Sequence, residues 1–371
     1  MPKPSVKVAA ARNALWEPME ARPVAALPSG PGWQYEPKWD GFRCIGAKAG
    51  SVITLTSKSG KPLARYFPEI EQSLAAARHR RFIVDGELCI PDGDSLSFEA
   101  LQMRLHPAAT RIAKLSKDTP ALFILFDLLS VDGKDVRDLP LSDRRVRLER
   151  LFTELEPGGS FRLSPRTTSL GQATTWLEHA GAGALDGLVA KRVNEPYRSG
   201  ERAMVKVKRA RTADCVVGGF RYGIHQRQVA SLLLGLFNAT GKLDHVGFTS
   251  GISAEMRPAL TKKLEKLRGG EGFSGSAPGG PSRWTTKRSA DWVAVRNELV
   301  VEVQYDQISG GRFRHGTRFV RWRPDKAPHQ CTMDQLESPR SGARAMRMLK
   351  QHAALGPSSK GAPPQAMRGT R

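Results

Sequence analysis

No apolar run in the 371-residue chain is long enough to cross a membrane. The best candidates, ALFILFDLL and VASLLLGLF, have about half the roughly 18 residues a span requires and read as buried strands. The opening MPKPSVKVAAARNALW carries lysines but no apolar signal core, which predicts a cytoplasmic, nucleoid-associated protein. Cysteine is sparse: Cys44, Cys89, Cys215 and Cys331 show neither CxxC spacing nor neighbouring histidines. That excludes a zinc-finger reading and predicts reduced, buried thiols. Acid is in short supply as well, with 36 Asp and Glu against 58 Lys and Arg and a formal net charge of +22. A surplus this large predicts a polyanionic partner, nucleic acid or an anionic membrane surface.

What is present divides into two blocks. From Trp33 short strands alternate with turns: WQYEPK, FRCIGAKAG after a WDG turn, SVITLTS, and the buried ALFILFDLL. In SVITLTS, Ile53 and Leu55 share one face, so Lys58 is expected to point away from the core. A helix is expected at Phe98 to Leu105. Another is expected from a cap at Ser142, where Leu148, Leu151, Phe152 and Leu155 repeat at helical spacing. ATTWLEHA adds a further helix, and LDGLVAKR and AMVKVKR return to strand. From about Ala213 to Leu336, five or so strands and one helix (SAEMRPALTKKLEKL) suit a small closed barrel such as an OB-fold, with a sandwich the alternative. The expected boundaries are an N-terminal segment 1–30, a first domain 31–210, a barrel 213–336 and a tail 337–371. The tail, with seven basic and no acidic residues after Glu337, reads as a disordered arm that grips phosphate.

EPKWDGFR sets Lys38 among acidic, aromatic and glycine neighbours at the end of a hairpin strand. A surface lysine is protonated and a poor nucleophile, but crowded cations would lower its pKa and free the lone pair. AMVKVKR supplies such cations. Val205 and Val207 face inward while Lys206 and Lys208 share the opposite face, roughly 7 Å apart by strand rise, as a phosphate clamp or as a solvated edge strand. IVDGEL sets Asp85 and Glu87 on one side of an otherwise apolar strand and LDGLVAK sets Asp186 just before another; acids at strand ends can hold a divalent ion or ribose hydroxyls, with Asp-Gly turn chemistry at least as open for Asp85 and Asp186. Phe126 is a core residue or a base-stacking one. RFVRWRPDK gathers Arg318, Arg321, Arg323 and Lys326 around Asp325, a phosphate site or a solvated basic strand.

The order of these pieces resembles the motif series of the covalent nucleotidyltransferases: Lys-x-Asp-Gly at Lys38, SKSG at Ser57, DGE at Asp85, FDLL at Phe126, DGLVAK at Asp186, VKVK at Val205 and RPDK at Arg323. Within that superfamily the chain is similar to ATP-dependent DNA ligases of the compact bacterial ligase C type over Trp33 to about Leu336. The closer likeness is carried by LHPAATRIAKLSKDTP, FDLLSVDGKDVRDLPLSDRR and FRHGTRFVRWRPDKAPHQCT. The resemblance implies an α+β fold, in which an adenylation domain of antiparallel sheets and flanking helices is followed by an OB-fold barrel. It implies Lys38 as the residue that takes AMP from ATP, with Mg²⁺ or Mn²⁺ present, and hands it to a nick in duplex DNA. Glu36, Glu87, Phe126 and Lys191 would then surround the nucleotide, Arg43 and Lys58 would meet phosphate or the nicked end, and Asp186 and Glu87 would hold the metal. Lys206 and Lys208 would grip the α-phosphate, and Arg323, Asp325 and Lys326 would swing in from the barrel for the first step, hinged near Lys208 to Ala213. Lys58 stands where the family usually has arginine, Asp186 where it has glutamate, and Met204 where it has tryptophan.

The implied setting is DNA repair by a monomer working on nicks or short gaps, beside a repair polymerase and an end-binding protein. Rival readings are an RNA ligase or RNA-capping guanylyltransferase using the same lysine, and a non-catalytic barrel protein binding DNA by charge. An NAD-dependent ligase is disfavoured by the absence of zinc-finger cysteines and of room for that family's N-terminal module.

Overall fold

The computed structural model describes residues 16–336, other than 156–158, 181–184, 210, 224–226 and 280–290, together with residues 347 and 349. The first domain is built on two sheets. One runs in the order Ala21–Pro23, Met204–Val207, Leu185–Arg192, Trp33–Trp39. The other runs Phe161–Leu163, Leu122–Val131, Arg81–Cys89, Phe42–Ala49, Val52–Ser57. Most neighbours are antiparallel, and Ala21–Pro23 against Met204–Val207 is one of the parallel pairs.

Leu122–Val131 is the expected buried strand, with every residue from Leu122 to Ser130 out of solvent. Helices Pro68–Ala76 and Leu141–Glu154 cover one face of its sheet through Ile70, Leu74, Leu148, Leu151 and Phe152. Helix Leu170–Glu178 closes the outer face of the other sheet by packing Ala173 and Trp176 on Tyr35, Leu188 and Val205. Burying each such side chain is worth about 1.5–3 kcal/mol. The helix over Leu148 does not begin at a Ser142 cap. It starts at Leu141 with Pro140 before it and no side-chain cap, because the amides of Leu141 and Ser142 donate to the carbonyls of Glu195 and Val193 at 3.0 Å each. A neighbouring loop thus satisfies the donors that a hydroxyl would have capped.

Two expectations about the chain before the lysine are corrected. The segment ahead of residue 31 is part of this domain, since Ala21–Pro23 extends its sheet. Nor does Lys38 end a hairpin: Trp33–Trp39 and Phe42–Ala49 lie in different sheets, and the Asp40–Gly41 turn carries the chain across the seam between them.

The second domain settles barrel against sandwich. Its strands run Leu243–Thr249, Val229–Phe237, Arg211–Tyr222, Val300–Tyr305, Arg318–Trp322. Thr317 closes the ring onto the first of these: its amide donates to Phe248 O at 2.9 Å, and Thr249 Oγ1 donates to Thr317 O at 2.9 Å. Helix Arg257–Lys266 plugs the core with Leu260 and Leu264. Burial, helped by Arg312 and Arg221, pushes the pKa of His245 down to about 3, so the imidazole stays neutral against Phe273.

All four cysteines are free and buried. No helix among the described residues is long and apolar enough to cross a membrane. Of the basic tail, Arg347 and Leu349 are helical, and Leu349 is buried against Trp39, Cys89, Leu96, Leu122 and Ile124 of the first domain. The remaining expectation of disorder after Glu337 lies outside the described residues.

Candidate active site

Two glycines bring the strands of the site together. A Cβ on Gly41 would lie 2.3 Å from Leu88 O, so only glycine lets the turn after Lys38 pass that strand. Gly187 has φ +151°, and a Cβ there would lie 2.2 Å from Val207 O. The sheet register is irregular between Leu185 and Gly187, with Gly187 opposite Lys38, and the irregularity turns the Asp186 carboxylate to the Lys38 amine. Asp186 is buried, and the same oxygen also receives Lys208 Nζ at 3.2 Å.

A cleft opens beside this pair, lined by residues of both sheets including Glu36, Lys38, Arg43, Lys58, Glu87, Phe126, Lys191 and Lys206. At its floor the Glu36 carboxylate accepts from Gln34 Nε2 at 2.7 Å and Lys191 Nζ at 2.9 Å. Lys191 Nζ and Arg43 Cζ lie 4.8 and 4.6 Å from the centre of the Phe126 ring, making it an aromatic surface flanked by cations. Glu87 carries no ion pair among the described residues. Burial pushes its pKa up to about 7, with Arg43 and Lys38 opposing the shift.

The cations differ in how they are held. Burial alone would lower the pKa of Lys208, but Asp186 and Asp306 outweigh it and raise it. Lys206 shows the reverse: burial and then the charges of Lys38 and Lys208 lower its pKa, and among the described residues it has no ion pair. Val189 lies between Glu36 and Lys206 across three adjacent strands, which puts Lys206 on the wall of the cleft.

Asp85 departs from the expectation. Asp85 is fully buried in the middle of a strand, not in a turn. Arg43 donates Nε and Nη2 to its two oxygens at 2.6 and 2.5 Å, and Nη2 also to Met19 O at 3.1 Å. Tyr197 Oη donates to Asp85 at 2.6 Å and receives the Met19 amide at 2.8 Å. Arg43 thus braces the Phe126 ring with Nε and Nη2 held inside the protein, while its side chain still lines the cleft.

Arg323 and Lys326 are not brought to the cleft. Arg323 Nη1 donates to Asp214 Oδ1 and Oδ2 at 2.8 and 2.9 Å, and Lys326 Nζ donates to Oδ2 at 2.8 Å, all within the barrel. What the barrel does set against the first domain is Arg314. It donates to both oxygens of Asp40 at 3.0 and 2.7 Å, lies 3.2 Å from the centre of the Phe98 ring and bonds Gln307. Asp306 adds a bond from Lys208 at 3.1 Å. Burial raises the pKa of Asp40 and Arg314 opposes it.

Sequence reasoning also missed the N-terminal wall. Pro18, Met19, Glu20 and Ala21 line the cleft, and Glu20 bonds Lys58 at 3.0 Å. A three-residue strand is too short to show periodicity, and its partner is some 180 residues away in the chain. No local signal could have revealed it.

With this geometry in place, comparison with known proteins is decisive. Residues 18–208 match the model of the ATP dependent DNA ligase domain, and residues 225–326 match that of the ATP dependent DNA ligase C terminal region. The chain belongs to the ATP-dependent DNA ligases. DNA ligase C2 of Mycolicibacterium smegmatis is 40% identical to this ligase over 339 residues, 87% of this chain and 94% of that one. DNA ligase C of Mycobacterium tuberculosis is 38% identical with the same coverage. A solved Lig E DNA ligase, 18% identical with a TM-score of 0.52, covers 83% of this ligase and 99% of itself and shares its fold. The first match begins at residue 18, inside the segment that sequence reading had set apart.

Proposed function

We propose that Lys38 is the residue through which this ligase seals 5′-phosphate/3′-hydroxyl nicks in duplex DNA, in three transfers at one cleft. In the first, Lys38 Nζ attacks the α-phosphorus of ATP. A P–N bond forms, the bond to pyrophosphate breaks and the amine sheds a proton. In the second, the 5′-phosphate at the nick attacks the same phosphorus and Lys38 leaves as the amine. In the third, the 3′-hydroxyl attacks and AMP departs.

The observation that carries this reading is the Lys38 amine bonded to buried Asp186 beside a cleft lined by the Phe126 ring and by a lysine and a carboxylate, Lys206 and Glu87, that have no ion pair among the described residues. Lys206 is available to the α-phosphate, where charge accumulates as the bonds exchange. Glu87 is placed to accept the ribose hydroxyls, Phe126 to stack on the base, and Glu36, fixed by Gln34 and Lys191, to border it. Lys208 holds Asp186 in line.

A divalent ion fits this donor set only as a shared guest. Among the described residues no group of three or more His, Cys, Asp or Glu could hold a metal. Asp186 and the unneutralised Glu87 would hold Mg²⁺ or Mn²⁺ together with oxygens of the triphosphate. When bound, the ion neutralises phosphate charge.

Arg323 and Lys326, parked on Asp214, belong to the first transfer in this reading. They reach pyrophosphate once the barrel turns about the segment near Lys208 to Ala213. The Arg314–Asp40 contact then marks the arrangement used at the nick. The protein would act as a monomer in repair, at the nucleoid, on nicks and short gaps left by a polymerase and beside an end-binding protein.

Incubation with α-labelled ATP is the test. A label that stays with the protein through denaturation, and is absent from Lys38→Ala, is expected. A wild-type protein that takes no label would overturn the reading.

A further inference from the structure

The ion-paired carboxylates in and around the cleft fall into two kinds, with Glu87 outside both because it has no ion pair among the described residues. Glu36, Asp85 and Asp186 are buried and fixed, with at most 6% of their surface exposed. Glu20 is at the mouth, with 31% of its side chain exposed, and its partner Lys58 has 58% exposed. The backbone of Glu20 is nonetheless anchored: its amide donates to Glu201 O at 2.8 Å, and the Met204 amide donates to its carbonyl at 3.1 Å. The carboxylate is thus presented from a strand edge next to Met204–Val207, with Lys58 at 3.0 Å and Arg202 at 3.9 Å. The bond to Lys58, followed by the charges of Lys58, Arg202 and Lys206, lowers its pKa, so it is ionised at neutral pH.

We propose that Glu20 is a built-in competitor for the 5′-phosphate of the nick: it occupies Lys58 in the resting ligase and must be displaced before the phosphate can take that ammonium. Glu20 is in this sense a specificity-determining residue, since it lowers the advantage that a 5′-phosphate end holds over a 5′-hydroxyl end. The inference rests on the reading that Lys58 meets the nicked end. A carboxylate and a phosphate cannot share one exposed ammonium without mutual repulsion, and an exposed ion pair is weak enough to be exchanged. The three buried carboxylates lack that freedom.

The experiment measures binding of the full-length ligase, without metal or ATP, to two nicked duplexes that end in a 3′-dideoxynucleotide and carry either a 5′-phosphate or a 5′-hydroxyl. Wild type, Glu20→Gln, Glu20→Ser, Lys58→Ala and the double variant Glu20→Gln/Lys58→Ala are compared. The expected result is that both Glu20 variants raise the phosphate-to-hydroxyl affinity ratio about two- to five-fold, the range open to an exposed ion pair. Lys58→Ala lowers the ratio, and Glu20→Gln has no effect in that background. If Lys58→Ala lowers the ratio but the Glu20 variants leave it unchanged, the competitor role is overturned and the role of Lys58 stands. If the Glu20 variants tighten both duplexes equally, Glu20 acts only through net charge and the competitor role is again overturned. If Lys58→Ala leaves the ratio at the wild-type value, Lys58 does not meet the phosphate and both ideas fall.

Discussion

The cleft and the barrel both gather cations, and they hold them differently. In and beside the cleft Lys58 is matched to Glu20 and Lys191 to Glu36, Lys38 and Lys208 share Asp186, and Lys206 has no ion pair among the described residues. In the barrel Arg323 and Lys326 converge on Asp214, and Arg323 also bonds Asp325, all within their own domain. In the proposed reaction the cleft works in every transfer, and an arrangement that leaves Lys206 unmatched suits that role. In the same proposal Arg323 and Lys326 are needed only in the first transfer, and their pairing within the barrel means that a turn of the barrel would leave no unpaired charge behind.

The strongest test of that division is the nucleophile. Lys38→Ala should cut covalent AMP labelling by at least about a thousand-fold while retaining sealing of a pre-adenylated nick within about ten-fold. Gel assays of the two reactions side by side measure this. Next are the stored barrel cations: Arg323→Ala and Lys326→Ala should lower labelling about a hundred-fold and change pre-adenylated sealing by less than about three-fold. Equal losses in both assays would erase the distinction between the two stores.

The domains should also respond oppositely to pH. His245 has a folded pKa of about 3 against an ordinary 6.5, so the unfolded chain holds more protons in between and its stabilising contribution is lost as pH falls through that window. Glu87, raised from 4.5 to about 7, binds more protons when folded, and its contribution is lost as pH rises from 4.5 through 7. Each can supply up to about 1.4 kcal/mol per pH unit. Denaturant titrations of His245→Phe and Glu87→Gln should flatten the acidic and the near-neutral limb of the stability profile respectively. The smallest effect belongs to the tail. Neutralising Lys350, Lys360, Arg368 and Arg371, which leaves Leu349 unaltered, should weaken nick binding about three-fold at low salt and make binding less salt-sensitive.

Much of this was legible in the chain. The alternation Val205, Lys206, Val207 fixed which side chains face the cleft, and the unbroken apolar run at Leu122 announced a central strand. The ordered motifs located Lys38, Glu87, Phe126 and Asp186. Long-range pairing and competition for donors were hidden. Nothing local to Arg43 shows that a buried carboxylate 42 residues later takes two of its donors. Ser142 looked like a cap because nothing local shows carbonyls arriving from 193 and 195. Glu20 was passed over because the strand that follows it is recruited by the far end of the domain. In each case the deciding partner is distant in sequence, where neither periodicity nor propensity reports.

The burial of Leu349 beside Trp39 has a practical corollary. The chain leaves the first domain near Arg209, builds the barrel, and returns a side chain to the domain it left. A protease that cut only at the crossover near Arg209 would release two fragments still held by that returning leucine and by the Arg314–Asp40 bridge. Such a severed ligase should co-elute as one species on gel filtration.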